Sequence, residues 1–260
     1  MRYNINKINE QNKIMTKQVI IITGGASGIG LQSVKTLIGN GFDVAVLDYK
    51  SSECLKASGA DYIYCDLQNS DEIEACFETI MNRFGSIFAL INNAGILSYG
   101  NVEELTIKEW QKVMDINVRA PFLCAKYAIP IMKKGSIIVN VASIQSFFAQ
   151  AKVAAYATSK AALLGLTRSI AIDYSGRIRC VAVCPGTIDT PMLHNALIQS
   201  DNPEAMMQEL NNSHLTKRIG KAAEIAELIS FLCGDKCKFI NGTEIRIDGG
   251  LGVNLGGSIE

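Results

Sequence analysis

Short apolar runs alternate with amphipathic stretches along most of this chain. Seven runs are rich in the aliphatic residues typical of buried strands, and they are Val19–Ile22, Asp43–Leu47, Tyr62–Cys65, Phe88–Ile91, Ser136–Val141, Ile178–Val183 and Thr243–Ile247. Apolar positions recur with helical spacing over Ile29–Gly39, Ser70–Phe84, Thr106–Met132, Ala155–Tyr174 and Ala222–Leu232. Parallel strands need crossover connections, which place helices on both faces of a sheet. The pattern therefore predicts a single α/β domain with a doubly wound, seven-stranded parallel sheet.

Composition and charge limit the classes of partner. The chain has 260 residues, of which 48% are hydrophobic, and this is enough for one large core. Its 25 basic and 25 acidic side chains cancel, so nucleic acid and membrane surfaces are not expected partners. No segment has the roughly 20 apolar residues of a membrane helix or the apolar core of a signal peptide. A cytoplasmic protein with a small-molecule substrate is expected.

The first fifteen residues, MRYNINKINEQNKIM, are rich in Asn and Lys and have no clean periodicity. Such a segment predicts a disordered extension, followed by one domain over residues 16–260. The eight cysteines fall mostly in apolar segments, which favours small buried side chains over disulfides or metal ligands. With two histidines and no CxxC pair, no metal site is expected.

A glycine-rich turn follows the first predicted strand. The segment 23–30 reads TGGASGIG and leads into a helix. Its glycines allow a sharp turn and the close approach of a pyrophosphate, which the N–H groups of a helix N-terminus can bind. In this context the pattern predicts a Rossmann-like dinucleotide site, whereas a tight turn without a ligand is the alternative. The expected contacts are Gly24, Ser27, Gly28, Ile29 and Gly30.

Acidic and small residues follow the next three strands. Asp48 is placed to accept hydrogen bonds from the adenosine ribose hydroxyls, which favours NAD over NADP. Asp66 ends the third strand and either meets the adenine amino group or caps a helix. Small residues after the fourth strand are expected where the backbone passes the cofactor, with a plain turn as the alternative. The remaining contacts expected in these loops are Leu67, Asn92, Ala94 and Gly95.

A tyrosine and a lysine share one face of a predicted helix. Tyr156 and Lys160 stand four residues apart, a spacing that places both side chains on the same side. Such a pair is common on protein surfaces. Ser143, at the end of the fifth predicted strand, adds a hydroxyl at the same edge of the sheet, and this favours a catalytic interpretation.

These motifs together resemble those of the short-chain dehydrogenase/reductase family, from about Lys17 to Gly250. The resemblance is carried by TGGASGIG at 23–30, NNAG at 92–95, Asn117 in DINV, Ser143, YATSK at 156–160 and Pro185-Gly186. It is closest to the sugar dehydrogenases of the aldohexose (glucose 1-dehydrogenase) kind. The resemblance implies an NAD(P)-dependent oxidoreductase acting on CH–OH groups, assembled as a homotetramer.

The resemblance also implies roles for a complete tetrad. Tyr156 would be the acid/base, Ser143 would bind the substrate oxygen, and Lys160 would hold the nicotinamide ribose. Asn117 would anchor a water, with a satisfied core amide as the alternative. The loop after the sixth strand would meet the nicotinamide, through Pro185, Gly186, Ile188 and Thr190.

An unperturbed tyrosine has a pKa near 10, too high for a base at neutral pH. A Lys160 ammonium about 5 Å away, at an effective dielectric near 20, favours the phenolate by roughly 3 kcal/mol. We therefore expect a lowered pKa for Tyr156.

Polar and apolar residues are mixed where the substrate is expected. This mixture favours a small sugar or polyol. A 3-oxoacyl thioester reductase is the runner-up, against which Asp48 and the lack of a basic patch speak. A non-catalytic dinucleotide-binding redox sensor is an alternative of another class, against which the intact tetrad speaks. The residues expected to border the substrate are Ser143, Gln145, Gln150, Tyr156 and His194.

Two segments are expected to lie around the substrate. The polar, weakly periodic stretch Met192–Leu215 predicts a lid, with a surface helical hairpin as the alternative. The tail Leu251–Glu260 is expected to reach a neighbouring subunit and to help close its cleft.

Overall fold

A computed structural model describes residues 18–253 of the chain, so the expected extension at residues 1–15 lies outside the described residues. The strands are β1 Val19–Thr23, β2 Asp43–Asp48, β3 Asp61–Tyr64, β4 Ile87–Asn92, β5 Met132–Val141, β6 Ile178–Pro185, β7 Ile188–Asp189, β8 Gly220–Lys221 and β9 Glu244–Ile247. The helices are α1 Gly28–Gly39, α2 Glu53–Lys56, α3 Ser70–Phe84, α4 Ile107–Met114, α5 Ala120–Ala128, α6 Ala154–Asp173, α7 Pro191–Ile198, α8 Pro203–Ser213 and α9 Ala222–Cys233.

Seven strands form one sheet in the order β3-β2-β1-β4-β5-β6-β9. Each neighbouring pair is parallel. The chain builds one half outward from β1 and then returns to β4 for the other half. The strand order reverses between β1 and β4, and open α/β sheets bind ligands in the crevice outside the carboxyl ends of the strands at such a point. The predicted doubly wound, seven-stranded fold is confirmed.

Alternate residues of the central strand serve opposite faces of the sheet. Ile21 belongs to the apolar layer that contains α3 and α5, whereas Ile20 and Ile22 belong to the layer that contains α1 and α9. All three side chains are fully buried. Successive side chains of a strand point to opposite faces of the sheet, so a strand covered on both faces needs apolar residues at consecutive positions.

The helix predicted over Thr106–Met132 is not continuous. It consists of α4, a π-helical turn at Asp115–Arg119, α5 and a 3₁₀ turn at Ile129–Ile131. Pro121 stands in the first turn of α5, and a proline has no N–H for a regular helical hydrogen bond. Met132 is already the first residue of β5. The prediction of one helix from apolar spacing alone is therefore wrong, because the spacing does not show where one element ends and the next begins.

The predicted lid segment is folded into two helices. α7 and α8 cover most of Met192–Leu215, which is the helical-hairpin form of the segment. The short strands before and after the two helices, β7 and β8, pair in parallel. Whether the hairpin closes over a substrate stays a prediction.

Seven of the eight cysteines are buried, and none is in a disulfide. Cys54 is the exposed one. Within residues 18–253, no helix has the length and apolar character that crossing a membrane demands. The same residues contain no cluster of three or more His, Cys, Asp or Glu side chains that could hold a metal ion.

Candidate active site

The glycine-rich turn fits tightly between β1, α1 and β4. Gly24 has φ +68° and Gly28 has φ +53°, conformations that favour glycine. A Cβ atom on Gly24 would lie 2.8 Å from Ala94 Cα, and one on Gly30 would lie 2.0 Å from the Gly24 carbonyl oxygen. The backbone conformation favours glycine at 24 and 28, and close packing excludes a Cβ atom at 24 and 30.

Two residues that sequence reasoning missed tie this turn to the loop after β4. The Thr23 hydroxyl accepts the N–H groups of Asn93 and Ala94, each at 3.1 Å. The Asn93 side chain donates to the carbonyl oxygens of Thr23 and Gly24, each at 3.0 Å. Their positions within TGGASGIG and NNAG were the available signal. The two motifs are thereby held as one rigid surface.

Asn92, predicted as a cofactor contact, has its side chain directed into the interior. It is 2% exposed, and its Nδ2 donates to Asn140 Oδ1 at 2.9 Å. Asn140 in turn donates to the Thr167 hydroxyl at 2.9 Å. The Asn92 side chain therefore braces β4 against β5 and α6, and a cofactor contact through it is not supported.

Asp48 lies next to the glycine-rich turn. Its Oδ2 accepts the Ala26 N–H and its Oδ1 accepts the Lys50 N–H, each at 3.0 Å. The carboxylate is 8% exposed, and each oxygen has a further lone pair for a hydroxyl donor. Ser27 is exposed at the start of α1 and gives that helix no side-chain hydrogen bond, so the first helical N–H groups face the turn.

Asp66 shapes the loop after β3. Its Oδ1 accepts the Gln68 N–H at 2.9 Å, and its own N–H donates to Glu72 Oε2 at 2.9 Å. Leu67 beside it is buried at 9% exposure. The structure gives α3 a different cap, since the Asn69 side chain accepts the N–H groups of its first turn. The helix-cap alternative for Asp66 is therefore wrong.

Three of the tetrad residues surround the carboxyl end of β5. Ser143 follows the strand and its hydroxyl accepts the Gln145 N–H at 3.1 Å. Tyr156 and Lys160 lie one turn apart on α6. The Lys160 ammonium donates to the Val141 carbonyl oxygen at 2.8 Å and lies 5.6 Å from the Tyr156 ring centre. A hydroxyl, a phenol and an ammonium are thus brought to one end of the sheet, as predicted.

Asn117 is fully buried in the π-helical turn. Its Oδ1 accepts the Ile96 N–H at 2.9 Å, while its Nδ2 donates to the Ile96 carbonyl oxygen at 2.9 Å and to the Ser159 hydroxyl at 3.0 Å. Protein groups therefore accept both N–H donors of the Asn117 amide. This matches the alternative in which Asn117 is a core amide with its donors satisfied. Among the described residues its Oδ1 accepts only one hydrogen bond and has a further lone pair, so the expected anchoring of a water by Asn117 stays a prediction.

Burial changes the proton affinities of the pair on α6. It lowers the pKa of Lys160 to about 8, because a buried ammonium loses hydration. It raises the pKa of Tyr156, which a hydrogen bond with Ser143 opposes and the nearby Tyr99 phenol increases. The expected lowering of the Tyr156 pKa is therefore wrong for the protein alone, because desolvation of the phenolate is the largest influence on it.

The loop after β6 closes onto the glycine-rich turn. The Gly186 N–H donates to the Ile247 carbonyl oxygen at 3.1 Å, so the loop is anchored to β9. Ile188 is buried in β7. Thr190 precedes α7, and its Cγ2 would lie 3.4 Å from a Cβ atom placed on Gly28. The predicted nicotinamide loop, which begins at Pro185, thus lies beside the predicted pyrophosphate turn.

The predicted substrate residues fall into two groups. Gln145 lies next to Ser143, donates to Gln150 Oε1 at 3.0 Å, and has a buried Oε1 without a hydrogen-bond partner among the described residues. His194 is exposed on α7 and its Nε2 donates to Asp189 Oδ1 at 2.7 Å. Within residues 18–253, no hydrogen bond or ion pair links the His194 side chain to the tetrad. Sequence reasoning missed Tyr99, which acts electrostatically on Tyr156.

Comparison with known proteins decides the family. A family model described as Enoyl-(Acyl carrier protein) reductase matches residues 24–252. The chain belongs to the short-chain dehydrogenase/reductase family. The chain is 36% identical to 2-(R)-hydroxypropyl-CoM dehydrogenase of Xanthobacter autotrophicus, over 89% of the chain and 97% of the relative. It is 36% identical to levodione reductase of Leifsonia aquatica, over 90% and 94% of the two chains.

A solved structure supports the same assignment. The aldohexose dehydrogenase of Thermoplasma acidophilum, in ligand-free form, is 37% identical and superimposes with a TM-score of 0.88 over 94% of this chain and 97% of that one. The short-chain dehydrogenase is thus an oxidoreductase acting on hydroxyl or carbonyl groups. The comparisons do not favour a 3-oxoacyl thioester reductase or a non-catalytic sensor.

Members of this family bind a nicotinamide dinucleotide, which supplies the hydride acceptor or donor when bound. The crevice of this short-chain dehydrogenase fits such a group. Gly24 and Gly28 give the turn a path that favours glycine, the turn leads into the N-terminus of α1, and Asp48 offers carboxylate oxygens beside it. Helix N-terminal N–H groups suit a pyrophosphate, and a carboxylate suits ribose hydroxyls.

Proposed function

We propose that the protein is an NAD-preferring dehydrogenase of a small sugar or polyol, with Tyr156 as acid/base. The observation that carries this proposal is the grouping of Ser143, Tyr156 and Lys160 at the crevice end of β5. Tyr156 takes the proton of the substrate hydroxyl in oxidation and returns it in reduction. Ser143 donates a hydrogen bond to the substrate oxygen while its charge develops.

The remaining assignments are part of the same proposal and are supported by the family resemblance. Lys160 holds the nicotinamide ribose hydroxyls, and the backbone of the π-helical turn around Asn117 holds a water that links Lys160 to solvent. The backbone N–H groups of 24–30 and the loop of 185–190 hold the two halves of the dinucleotide. Cofactor contacts that we propose are Gly24, Ser27, Gly28, Ile29, Gly30, Asp48, Asp66, Leu67, Ala94, Gly95, Tyr156, Lys160, Pro185, Gly186, Ile188 and Thr190.

A polyhydroxylated substrate suits the side of the cleft next to Ser143. The unpartnered Gln145 Oε1 is an acceptor, and it can take a hydrogen bond from a substrate hydroxyl after a small rotation toward the cleft. Gln150 adds a second amide, whose Oε1 accepts a hydrogen bond from Gln145 Nε2 at 3.0 Å. The similarity to an aldohexose dehydrogenase supports the same substrate class. His194 borders the substrate only if α7 shifts, because its ring is now bonded to Asp189.

A panel assay tests this proposal. The purified protein is incubated with NAD or NADP and with aldohexoses, pentoses, polyols, simple secondary alcohols and, for the reverse direction, a 3-oxoacyl thioester with NADH or NADPH. We expect the highest kcat/KM with NAD and an aldohexose or polyol. Highest efficiency with the thioester would overturn the substrate class. Absence of turnover and of NADH binding would overturn the function.

Assembly and location follow from the same proposal. We propose a cytoplasmic homotetramer in which residues 16–260 form one domain. The tail that is expected to reach a neighbouring subunit lies mostly outside the described residues, which end at Val253.

A further inference from the structure

His214 is a buried histidine that the proposed mechanism does not use. It is 1% exposed and directly follows α8. Its Nδ1 lies 2.6 Å from the Leu210 carbonyl oxygen, and its Nε2 lies 3.3 Å from the Thr187 backbone nitrogen. A carbonyl oxygen only accepts and a backbone N–H only donates. The two partners therefore require a neutral ring with its hydrogen on Nδ1.

The ring joins three segments that are distant in the sequence. Leu210 belongs to the last turn of α8, where the Ser213 hydroxyl donates to the same carbonyl oxygen at 2.9 Å. Thr187 belongs to the loop between β6 and β7. On its third side, His214 Cδ2 would lie 3.3 Å from a Cβ atom placed on Gly249, after β9. A single side chain thus joins the α7–α8 hairpin, the 185–190 loop and the chain after β9.

The fit around the ring is close. A Cβ atom on Gly186 would lie 3.0 Å from His214 Nε2, so the loop approaches the imidazole with backbone alone. The Thr187 carbonyl oxygen accepts the Gly220 N–H at 2.9 Å. Both polar backbone groups of Thr187 are therefore bonded to the segment that leads out of the hairpin, and His214 provides one of these two bonds.

We propose that His214 is a positioning residue, which holds the loop of 185–190 in the shape that receives the nicotinamide half of the cofactor. This inference rests on the proposed function. Fixing a binding loop before the ligand arrives lowers the ordering cost of binding. An aliphatic side chain of similar size would leave the Thr187 N–H without its acceptor, and a buried donor without a partner is unfavourable.

Two amide variants separate the two ring nitrogens. His214→Asn places an amide near the Nδ1 position, so it keeps a donor for Leu210 but leaves Thr187 without an acceptor. His214→Gln places its amide oxygen near the Nε2 position, so it can accept from Thr187. Glu209→Gln, an exposed change in the same helix, is the control. Binding of NADH is followed by nicotinamide fluorescence, and binding of ADP-ribose, which lacks the nicotinamide, is followed by calorimetry.

We expect His214→Asn to raise the Kd of NADH about tenfold, the cost of one buried donor left without its partner, with the Kd of ADP-ribose nearly unchanged. His214→Gln should restore most of the NADH affinity, and KM for the cofactor should follow the Kd values more than kcat does. Equal losses for NADH and ADP-ribose would show a general structural role and overturn the proposal, as would an Asn variant that binds both like wild type.

Folding defects do not blur this test. If His214→Asn is unfolded by circular dichroism, His214→Leu, which also leaves the Thr187 N–H without its acceptor, replaces it: a lowered ratio of NADH to ADP-ribose affinity supports the proposal and an unchanged ratio overturns it. Failure of the proposed function is seen separately, because wild type would then bind neither NADH nor NADPH.

Discussion

At the scale of single residues, burial favours the neutral forms of both ionisable groups on the catalytic face of α6. The Lys160 ammonium has a pKa of about 8, and the Tyr156 phenol holds its proton more tightly than a phenol in water. Positive charge held close to the phenol lowers its pKa. We therefore expect proton transfer from an alcohol to Tyr156 to depend on the charge of the bound cofactor, more than on Lys160 alone.

Replacing Tyr156 by Phe removes the proposed acid/base and keeps the ring. We expect the rate to fall roughly 100-fold to 10,000-fold, the range typical of a lost general acid/base, while NADH binding stays within about threefold of wild type because the phenyl ring preserves the packing. The measurements are kcat on the best substrate of the panel and Kd for NADH. Tyr64→Phe, at an exposed tyrosine, is the control. A Tyr156→Phe enzyme with more than a tenth of the activity would contradict the mechanism.

The lowered pKa of Lys160 makes stability depend on pH. Its pKa is about 8 when folded and 10.5 ordinarily, so between these values the unfolded chain binds more protons and the Lys160 contribution to stability rises with pH. Below pH 8 the folded protein carries the full cost of a buried charge, roughly 3 kcal/mol at about 1.4 kcal/mol per pKa unit.

Comparison with Lys160→Met isolates that contribution. From about pH 7.5 to 10, the free energy of unfolding of wild type should rise by roughly 2 kcal/mol relative to the variant. Urea unfolding of the cofactor-free proteins measures it, with exposed Lys108→Met as the control whose difference from wild type stays flat. Parallel curves for wild type and Lys160→Met would show that the ammonium is well hydrated.

Asp48 is expected to select NAD. The extra phosphate of NADP would face its carboxylate, and one pair of like charges at about 4 Å costs roughly 4 kcal/mol before screening. Solvent and side-chain movement reduce this, so we expect a preference of about tenfold to 1,000-fold. The glycine-rich turn also favours NAD, because Ser27 has no positive charge that would pair with the extra phosphate of NADP.

The variant Asp48→Ser tests this assignment. It should lose kcat/KM with NAD and gain it with NADP, whereas exposed Glu78→Ser should change neither. Loss of the carboxylate also removes the acceptor for the Ala26 and Lys50 N–H groups, so part of the loss with NAD will come from a looser turn. Equal use of both cofactors by wild type would mean that Lys50 offsets the carboxylate.

At the scale of elements, one arginine closes the C-terminal end of α9. The Arg179 guanidinium, on β6, donates to the carbonyl oxygens of Leu232, Cys237 and Ile240 at 2.8 to 3.2 Å. The last carbonyls of a helix lack partners of their own and attract positive charge. The arginine therefore fastens the edge of the sheet to the helix that covers it.

Arg179→Met should destabilise the protein by roughly 2 to 4 kcal/mol, because it leaves partly buried carbonyls without donors. Arg168→Met, at an exposed position on α6, should stay within about 0.5 kcal/mol of wild type. Urea unfolding at a fixed protein concentration measures both. If the two variants unfold alike, water must replace the guanidinium at those carbonyls.

At the scale of the whole molecule, the described chain ends beside the active site. The Gly252 N–H donates to Oδ2 of Asp248, the residue directly after β9, at 2.9 Å. A Cβ atom on Gly252 would lie 2.5 Å from Ile144 Cδ1, next to Ser143. Truncation near this point therefore touches the substrate side of the cleft.

Two truncations separate contacts within the chain from the expected contact with a neighbour. Ending the chain after Val253 keeps the contact of Gly252 with Ile144, and ending it after Gly250 removes it. If residues 254–260 close a neighbouring cleft, the chain that ends after Val253 should already have a raised substrate KM. Light scattering checks that this product is still a tetramer. A wild-type KM after loss of 254–260 and a raised KM only after loss of 251–260 would eliminate the contact with the neighbour.

The sheet and much of the catalytic face could be predicted from the sequence because their signals are local. Alternating apolar runs predict the strands, and a four-residue spacing places Tyr156 and Lys160 together. The bonds from Thr23 to Asn93 and from Thr187 to His214 join positions far apart in the chain, and no periodicity reports them. The inward turn of the Asn92 side chain and the raised pKa of Tyr156 depend on neighbours from other strands and helices, so they needed the structure.

Those long-range bonds also fix when the site can form as the chain leaves the ribosome. The 185–190 loop takes its shape only after β9 has been synthesised, because Gly186 is anchored to Ile247 and Thr187 to His214. The first half-sheet is also incomplete until then, since α9 covers the face on which Ile20 and Ile22 lie. A domain generally folds as a unit, so we expect a nascent chain to bind the cofactor only once β9 has left the ribosome. Catalytic competence arrives last, with β9.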